Sequence, residues 1–182
     1  QGNQIIDVNV EDLLSRKPVE LDKSGIYSFI HNKVVLVTGA GGSIGSELVR
    51  QICEYKPKKI ILFDIYEHGV YNLQTELKIK FRDKKCESDL EILIGSVYNY
   101  KRMEAIFKLY QPDLVFHAAA YKHVPLMEDS PVEAVRTNII GTYNVCHLAD
   151  RYQVKKMVLV SSDKAVRPTN VMGATKRYAE MI

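Results

Sequence analysis

The chain has 182 residues, room for one domain and little more, and 46% of them are hydrophobic, enough to bury a real core and too many for general disorder. A net charge of +3, with the basic residues scattered, gives no footprint for nucleic acid. The three cysteines, Cys53, Cys86 and Cys146, are an odd number at spacings that match no metal pattern; no metal is expected, and a reducing compartment fits best. No apolar run approaches the ~20 residues of a membrane span, and no signal peptide is visible.

Residues 1–32 read as an N-terminal arm. Gln1-Gly2 looks like the remnant of a cleaved tag, Val10 to Leu14 suggests one helical turn ahead of Pro18, and Ser24 to His31 suggests another. From residue 33 to 182, strand and helix patterns alternate. Val34-Val35-Leu36-Val37 is a continuous apolar run, as a strand buried on both faces should be, and strand one is expected over 33–38. Glycine-rich Thr38 to Gly45 follows at once, and helical apolar spacing then predicts a helix over 43–55. Lys59 to Phe63 is a second strand ending in Asp64, followed by a helix over 68–82 and a charged loop over 82–89. Strand three is expected over 90–95 and a helix over 100–110, closed by Gln111-Pro112-Asp113 because proline cannot continue it. Strand four takes 114–118, Tyr121 to Ser130 is a loop, and Pro131 opens one long helix to residue 152. Strand five takes 156–160, and the last helix starts near Asn170 or Val171. This βαβα alternation predicts an α/β fold, a doubly wound parallel sheet with helices on both faces.

Two stretches carry chemistry. In the first, Gly39, Gly42 and Gly45 are three apart within Thr38-Gly39-Ala40-Gly41-Gly42-Ser43-Ile44-Gly45. Glycines permit a tight turn, let backbone approach a pyrophosphate and let helix pack on strand, while the following helix start offers free N–H groups to phosphates. Three glycines alone describe an ordinary turn; the strand before and the helix after point to dinucleotide binding. Asp64 lies 19 residues after Gly45, where an acid accepts from adenosine ribose hydroxyls and repels a 2′-phosphate, favouring NAD over NADP. The second stretch is Val158-Leu159-Val160-Ser161-Ser162-Asp163-Lys164, a strand ending in hydroxyls, an acid and a base. Met172 and Lys176, four apart on the next helix, share a face that looks toward it.

Thr38 to Glu47, Phe116-His117-Ala118-Ala119-Ala120-Tyr121-Lys122-His123-Val124-Pro125-Leu126-Met127-Glu128, and Ser161 to Arg177 together resemble the polysaccharide-biosynthesis branch of the extended short-chain dehydrogenase/reductases. The likeness covers nearly all of residues 33–182, and its second and third blocks are far more specific than the glycine motif. It implies a Rossmann-type fold and a UDP-N-acetylglucosamine 4,6-dehydratase, a lyase of capsule, O-antigen or glycan biosynthesis. The family's usual active-site tyrosine is Met172 here, which resembles the larger, membrane-attached subgroup, as does the arm from Ile5 to Pro18. Any membrane contact, on the cytoplasmic side of a bacterial inner membrane, is then expected only through a domain outside this chain. A homo-oligomer is the further expectation. Related enzymes continue after the helix that holds Lys176, so the chain is expected to stop before the sugar-binding C-terminal part and to have little activity alone.

The implied reaction oxidises the sugar C4 hydroxyl with NAD⁺, removes the C5 proton, expels the C6 hydroxyl as water and returns the hydride to C6. By resemblance Asp163 is the acid, Lys164 the base, Ser162 orients the C4 hydroxyl and Lys176 binds the nicotinamide ribose. A base at Lys164 needs a lowered pKa, from burial or from nearby Lys176. Met172 transfers no proton, and which group takes the C4 proton stays open. Asp163 could instead cap a turn, and Lys164 or Lys176 could be a solvated lysine. Gly41, Ser43 and Ile44 join the three glycines as cofactor contacts, with Val97 and Ala118, Ala119 and Ala120 from later strand ends. The family commonly has Gly-Asp-Val where this chain has Gly95-Ser96-Val97, so Ser96 would meet the adenine more weakly. Lys122 is expected at the cofactor or sugar edge. His117 and His123 could serve structure or contact a ligand, and Asn138 resembles an asparagine that bridges the central helix to the site, or is a buried tie. An epimerase of the same branch, or a NAD-binding module without activity, are the alternative functions.

Overall fold

The computed structural model describes residues 22–80 and 89–182. The turn expected over Val10 to Leu14, Cys86 and most of the charged loop lie outside the described residues. Helix α1 (Lys23–Ile30) takes up the expected Ser24–His31 turn and begins at Asp22, whose carboxylate accepts from the amides of Ser24 and Gly25.

Strands β1 (Val34–Thr38), β2 (Lys59–Asp64), β3 (Asp89–Ile94), β4 (Leu114–His117) and β5 (Lys156–Leu159) form one parallel sheet in the order β3-β2-β1-β4-β5. The order reverses between β1 and β4, where Thr38 lies opposite His117. Helices α2 (Ser43–Glu54), α3 (Glu67–Lys80) and α4 (Tyr100–Tyr110) connect the strands. Strand side chains alternate between faces, so the runs read from the sequence split into two cores. Val35, Val37, Ile60 and Leu62 pack with Val49 and Ile52 of α2 and Val70, Leu73 and Leu77 of α3. Leu36, Ile61, Phe63 and Val115 face the other way, onto Met103, Ile106 and Phe107 of α4 and Val145 and Leu148 of α7 (Thr142–Arg151). Cys53 belongs to the first core, as its helical position implies, whereas Cys146 is half-buried.

Two expectations need correction. The loop from Tyr121 to Ser130 contains helix α5 (Val124–Asp129), with Pro125 in its first turn, where a missing N–H costs nothing, and Met127 buried beneath. The single helix from Pro131 is three pieces: α6 (Pro131–Ala134), a π-helical segment (Val135–Gly141) and α7. A π turn accommodates an extra residue in the helix. Polar Asn138 and Thr142, on this turn and just after it, are each only 1% exposed. Beyond β5 come a single 3-10 turn (Asp163–Ala165) and helix α8 (Val171–Ala179), capped by the Asn170 side chain on Gly173 N at 2.7 Å. Among the described residues, no helix is long and apolar enough to cross a membrane.

Candidate functional site

Two adjoining cavities, of about 280 and 230 Å³, open at the carboxyl ends of the strands, and both are bordered by Gly39, Gly42, Ala118, Ala120 and Tyr121. This is the crevice where the strand order reverses, the usual ligand position in open parallel sheets.

The glycine loop is built for close approach. Gly39 has φ +70°, and a Cβ there would stand 2.5 Å from Ala119 N; a Cβ on Gly45 would stand 1.9 Å from Gly39 O. No side chain caps α2, so its first-turn amides are available to an anion. Gly39, Gly42, Ser43, Ile44 and Gly45 line the larger cavity. Gly41 lines neither; its N–H donates to Asp64 Oδ2 at 2.8 Å and so supports the acid. Asp64 Oδ1 accepts from Tyr66 N at 3.0 Å, so two backbone amides aim the carboxylate at the end of β2. Asp64, Ser96, Val97, Ala118, Ala119 and Ala120 all line the smaller cavity. Ser96 Oγ accepts from Tyr98 N at 3.2 Å.

The larger cavity is closed by the second motif. Ser162, Lys164, Met172 and Lys176 line it, together with Lys122, whose Nζ donates to Ser43 Oγ at 3.0 Å across the mouth of the glycine loop. Met172 and Lys176 share the inner face of α8, 2% and 5% exposed. Met172 packs with Met127 and Ala134, which anchors the face. Lys176 Nζ donates to Val160 O at 2.7 Å, and burial pushes its pKa down, opposed by the Glu180 carboxylate. Ser162 caps the 3-10 turn by accepting from Lys164 N at 3.2 Å and donates to Asp163 Oδ1 at 3.1 Å. Lys164 Nζ reaches the same Oδ1 at 3.3 Å. Hydrogen bonds from Lys164 and then Ser162 hold the Asp163 carboxyl below the usual carboxylate range.

Several expected contacts are not brought together. The Asp163 side chain is 87% exposed and outside the cavity lining, reaching the site only through Ser162 and Lys164. The expected burial falls on Lys176 instead of Lys164, whose side chain is about half exposed in its ion pair. His123 is exposed at the start of α5 and lines neither cavity, because that helix carries it outward. Asn138 lines neither cavity: Oδ1 accepts from Tyr121 N, and Nδ2 donates to Tyr121 O and Thr175 Oγ1, so its amide ties α8 to the loop after β4. Tyr121, Ser161 and Thr137 line the cavities without having been singled out from the sequence. Tyr121 had a signal, its place between the alanines and Lys122; Thr137 had none, since the π turn that presents it is not written in local spacing. His117 is buried, bound to two threonines and absent from both cavity linings. Among the described residues no cluster of His, Cys, Asp and Glu could hold a metal ion.

Known proteins share this fold and much of this sequence. The model of a family described as "Polysaccharide biosynthesis protein" matches residues 35–182. The probable polysaccharide biosynthesis protein EpsC of Bacillus subtilis is 55% identical over 181 residues, covering 100% of this chain and 30% of its own length. The chain thus spans about a third of that relative. The X-ray structure of Pen from Bacillus thuringiensis superposes with a TM-score of 0.73 at 41% identity, over 84% of this chain and 46% of that one. A UDP-glucose 4-epimerase of Thermotoga maritima, solved with UDP-glucose, gives 0.70 at 26% identity, over 81% and 49%. With the strand–glycine–helix turn, the alanine-lined strand end and the Ser-Asp-Lys turn facing Lys176 all in place, the chain belongs to the polysaccharide biosynthesis protein family, a branch of the extended short-chain dehydrogenase/reductases.

Proposed function

We propose that the chain is the NAD-binding part of a nucleotide-sugar 4,6-dehydratase acting on UDP-N-acetylglucosamine. The observation that carries this is the Ser162-Asp163-Lys164 turn placed against buried Lys176, with inert Met172 beside Lys176 in the lining of the same cavity. The glycine loop fits a dinucleotide: a side chain at Gly39 or Gly45 would collide with backbone, and the Asp64 carboxylate stands where a ribose diol would donate to it. Bound there, NAD would take a hydride from the sugar and give it back.

The residues supply the proton transfers. Lys164 and Asp163 hold one proton between them across 3.3 Å, as ammonium and carboxylate. Moving that proton to Asp163 produces a neutral amine and a carboxylic acid together. The amine then takes the C5 proton and the acid protonates the departing C6 hydroxyl, which restores the starting charges. A substrate that covers the exposed pair would favour this move, because removing water penalises separated charges. Ser162, which donates to Asp163 and caps the turn, keeps the acid oriented. Lys176, held by Val160 O, would bring a positive charge to the side where the C4 oxygen loses its proton.

Two measurements test the reading. In calorimetry the chain binds NAD more tightly than NADP, and Asp64→Ala weakens NAD binding roughly tenfold, about one hydrogen bond to a charged group; tighter NADP binding would remove the role given to Asp64. Incubating the full-length protein with UDP-N-acetylglucosamine gives a 4-keto-6-deoxy product by NMR. A product that keeps its C6 hydroxyl with C4 inverted would instead make the protein an epimerase, the reading favoured by the likeness to the Thermotoga enzyme.

A further inference from the structure

Beneath both cavities runs a continuous line of buried polar side chains. Thr38 Oγ1 meets His117 Nδ1 at 2.6 Å, and His117 Nε2 meets Thr142 Oγ1 at 3.0 Å. Thr142 Oγ1 donates to Asn138 O at 2.7 Å. The Asn138 amide continues to both backbone groups of Tyr121 and to Thr175 Oγ1, which donates to Met172 O at 2.7 Å. Thr38, His117, Asn138, Thr142 and Thr175 are all 5% exposed or less, and no buried side-chain polar atom among the described residues lacks a partner. Every link but Thr142 is next in the chain to a residue of a cavity wall. Thr38 precedes Gly39, His117 precedes Ala118, Asn138 follows Thr137 and Thr175 precedes Lys176.

The proton order along this line is determined. The Thr142 hydroxyl proton goes to Asn138 O, so toward the ring Thr142 Oγ1 must accept, and His117 Nε2 must carry the hydrogen. Nδ1 is then bare and accepts from the Thr38 hydroxyl. A charged ring would bring a second hydrogen against Thr38 and a second cation close to Lys176.

We propose that His117 is a positioning residue for the cofactor: a neutral, Nε2-protonated imidazole that locks the glycine-loop end of β1 to the π segment and, through Asn138, to the helix bearing Lys176. Burial and the neighbouring Lys176 charge both disfavour the imidazolium, in keeping with this. The histidine sets the separation of two walls that must grip one dinucleotide, and it does so without touching the ligand. The inference rests on the dinucleotide reading above.

Two measurements on the chain decide it. With ¹⁵N-labelled histidine, the His117 ring gives a pyrrole-type Nε2 and a pyridine-type Nδ1 signal at neutral pH; the reverse pattern, or an averaged pair, overturns the proposal. In the second, Thr142→Val removes the acceptor of Nε2–H while keeping the shape, and Thr142→Ser restores it. Thr142→Val, checked to be folded at the assay temperature by circular dichroism, binds NAD roughly tenfold more weakly, the equivalent of one buried hydrogen bond, and Thr142→Ser binds within about twofold of the parent. A merely structural role would lower the melting temperature of the valine variant but leave the NAD affinity of its folded form at the parent value, and that result refutes positioning. If Thr142→Val does not fold, His117→Gln, which keeps a donor toward Thr142, takes its place and must bind better than His117→Phe. A parent that fails to bind NAD while showing the stated ring signals would sink the cofactor reading and not the hydrogen-bond order.

Discussion

Lys164 and Asp163 form the exposed pair on which the proposed elimination turns, and their substitution separates chemistry from binding. In the full-length protein, Asp163→Asn or Lys164→Met should lower turnover about 10²–10⁴-fold, the usual contribution of a general acid or base. NAD affinity should stay near the parent value, because the Asp163 carboxylate stands outside the cavity lining and Lys164, at the border of the larger cavity, is paired with Asp163 and does not support the glycine loop. Lys164→Met should also stop exchange of the C5 proton with deuterium oxide; exchange at the parent rate would move the base to another group, with Lys176 first in line. His117 makes a different prediction. Its pKa falls from 6.5 to about 3 through burial first and the Lys176 charge second, so the folded ring stays neutral where the unfolded ring takes a proton. The stability this confers is fully present above pH 6.5 and is lost as pH falls toward 3. By urea unfolding, the parent should lose on the order of 3 kcal/mol more between pH 7 and 4.5 than His117→Gln does. Equal losses would mean that the ring is protonated in the folded chain.

At the scale of elements, the turn from β1 into α2 is the sharpest constraint. A Cβ at Gly45 would meet Gly39 O at 1.9 Å, whereas one at Gly42 would meet nothing nearer than 3.3 Å, the same carbonyl oxygen. Gly45→Ala should therefore destabilise the chain by on the order of 2–4 kcal/mol in chemical denaturation, and Gly42→Ala by much less. Similar midpoints for the two would show that the turn yields freely. This turn was legible in the sequence because its logic is local: an apolar run, glycines at fixed spacing, an amphipathic helix. The strands were legible for the same reason. The π segment was not, since Val135 to Gly141 continues a helical pattern on both sides, and what stabilises it is the bonding of Asn138 and Thr142 to residues 17 and 25 positions away. Helix α5 was missed because six residues carry little periodicity; Met127 is held by Met172, a contact visible only in three dimensions. The placement of Ser162, Met172 and Lys176 around one cavity followed from i,i+4 spacing and a strand end. The outward turn of Asp163 and His123 depended on the short helices that begin at or beside them.

For the whole molecule, the sheet joins two halves of the chain at its centre. The central contacts, Thr38 to His117 and Lys122 to Ser43, each span 79 residues. Neither half alone possesses both walls of the crevice: the glycine loop belongs to the first, and the Ser-Asp-Lys turn and Lys176 to the second. Such distant partners meet late, because the chain entropy of closing a long loop must be overcome before their contacts form. A dinucleotide that needs both walls then has nothing to hold until the barrier has been crossed. NAD should accordingly act as a brake on one direction only. In stopped-flow dilution, saturating NAD should slow the unfolding rate by the factor its binding predicts and leave the refolding rate unchanged. Faster refolding with NAD would mean that one half grips the cofactor before the sheet closes.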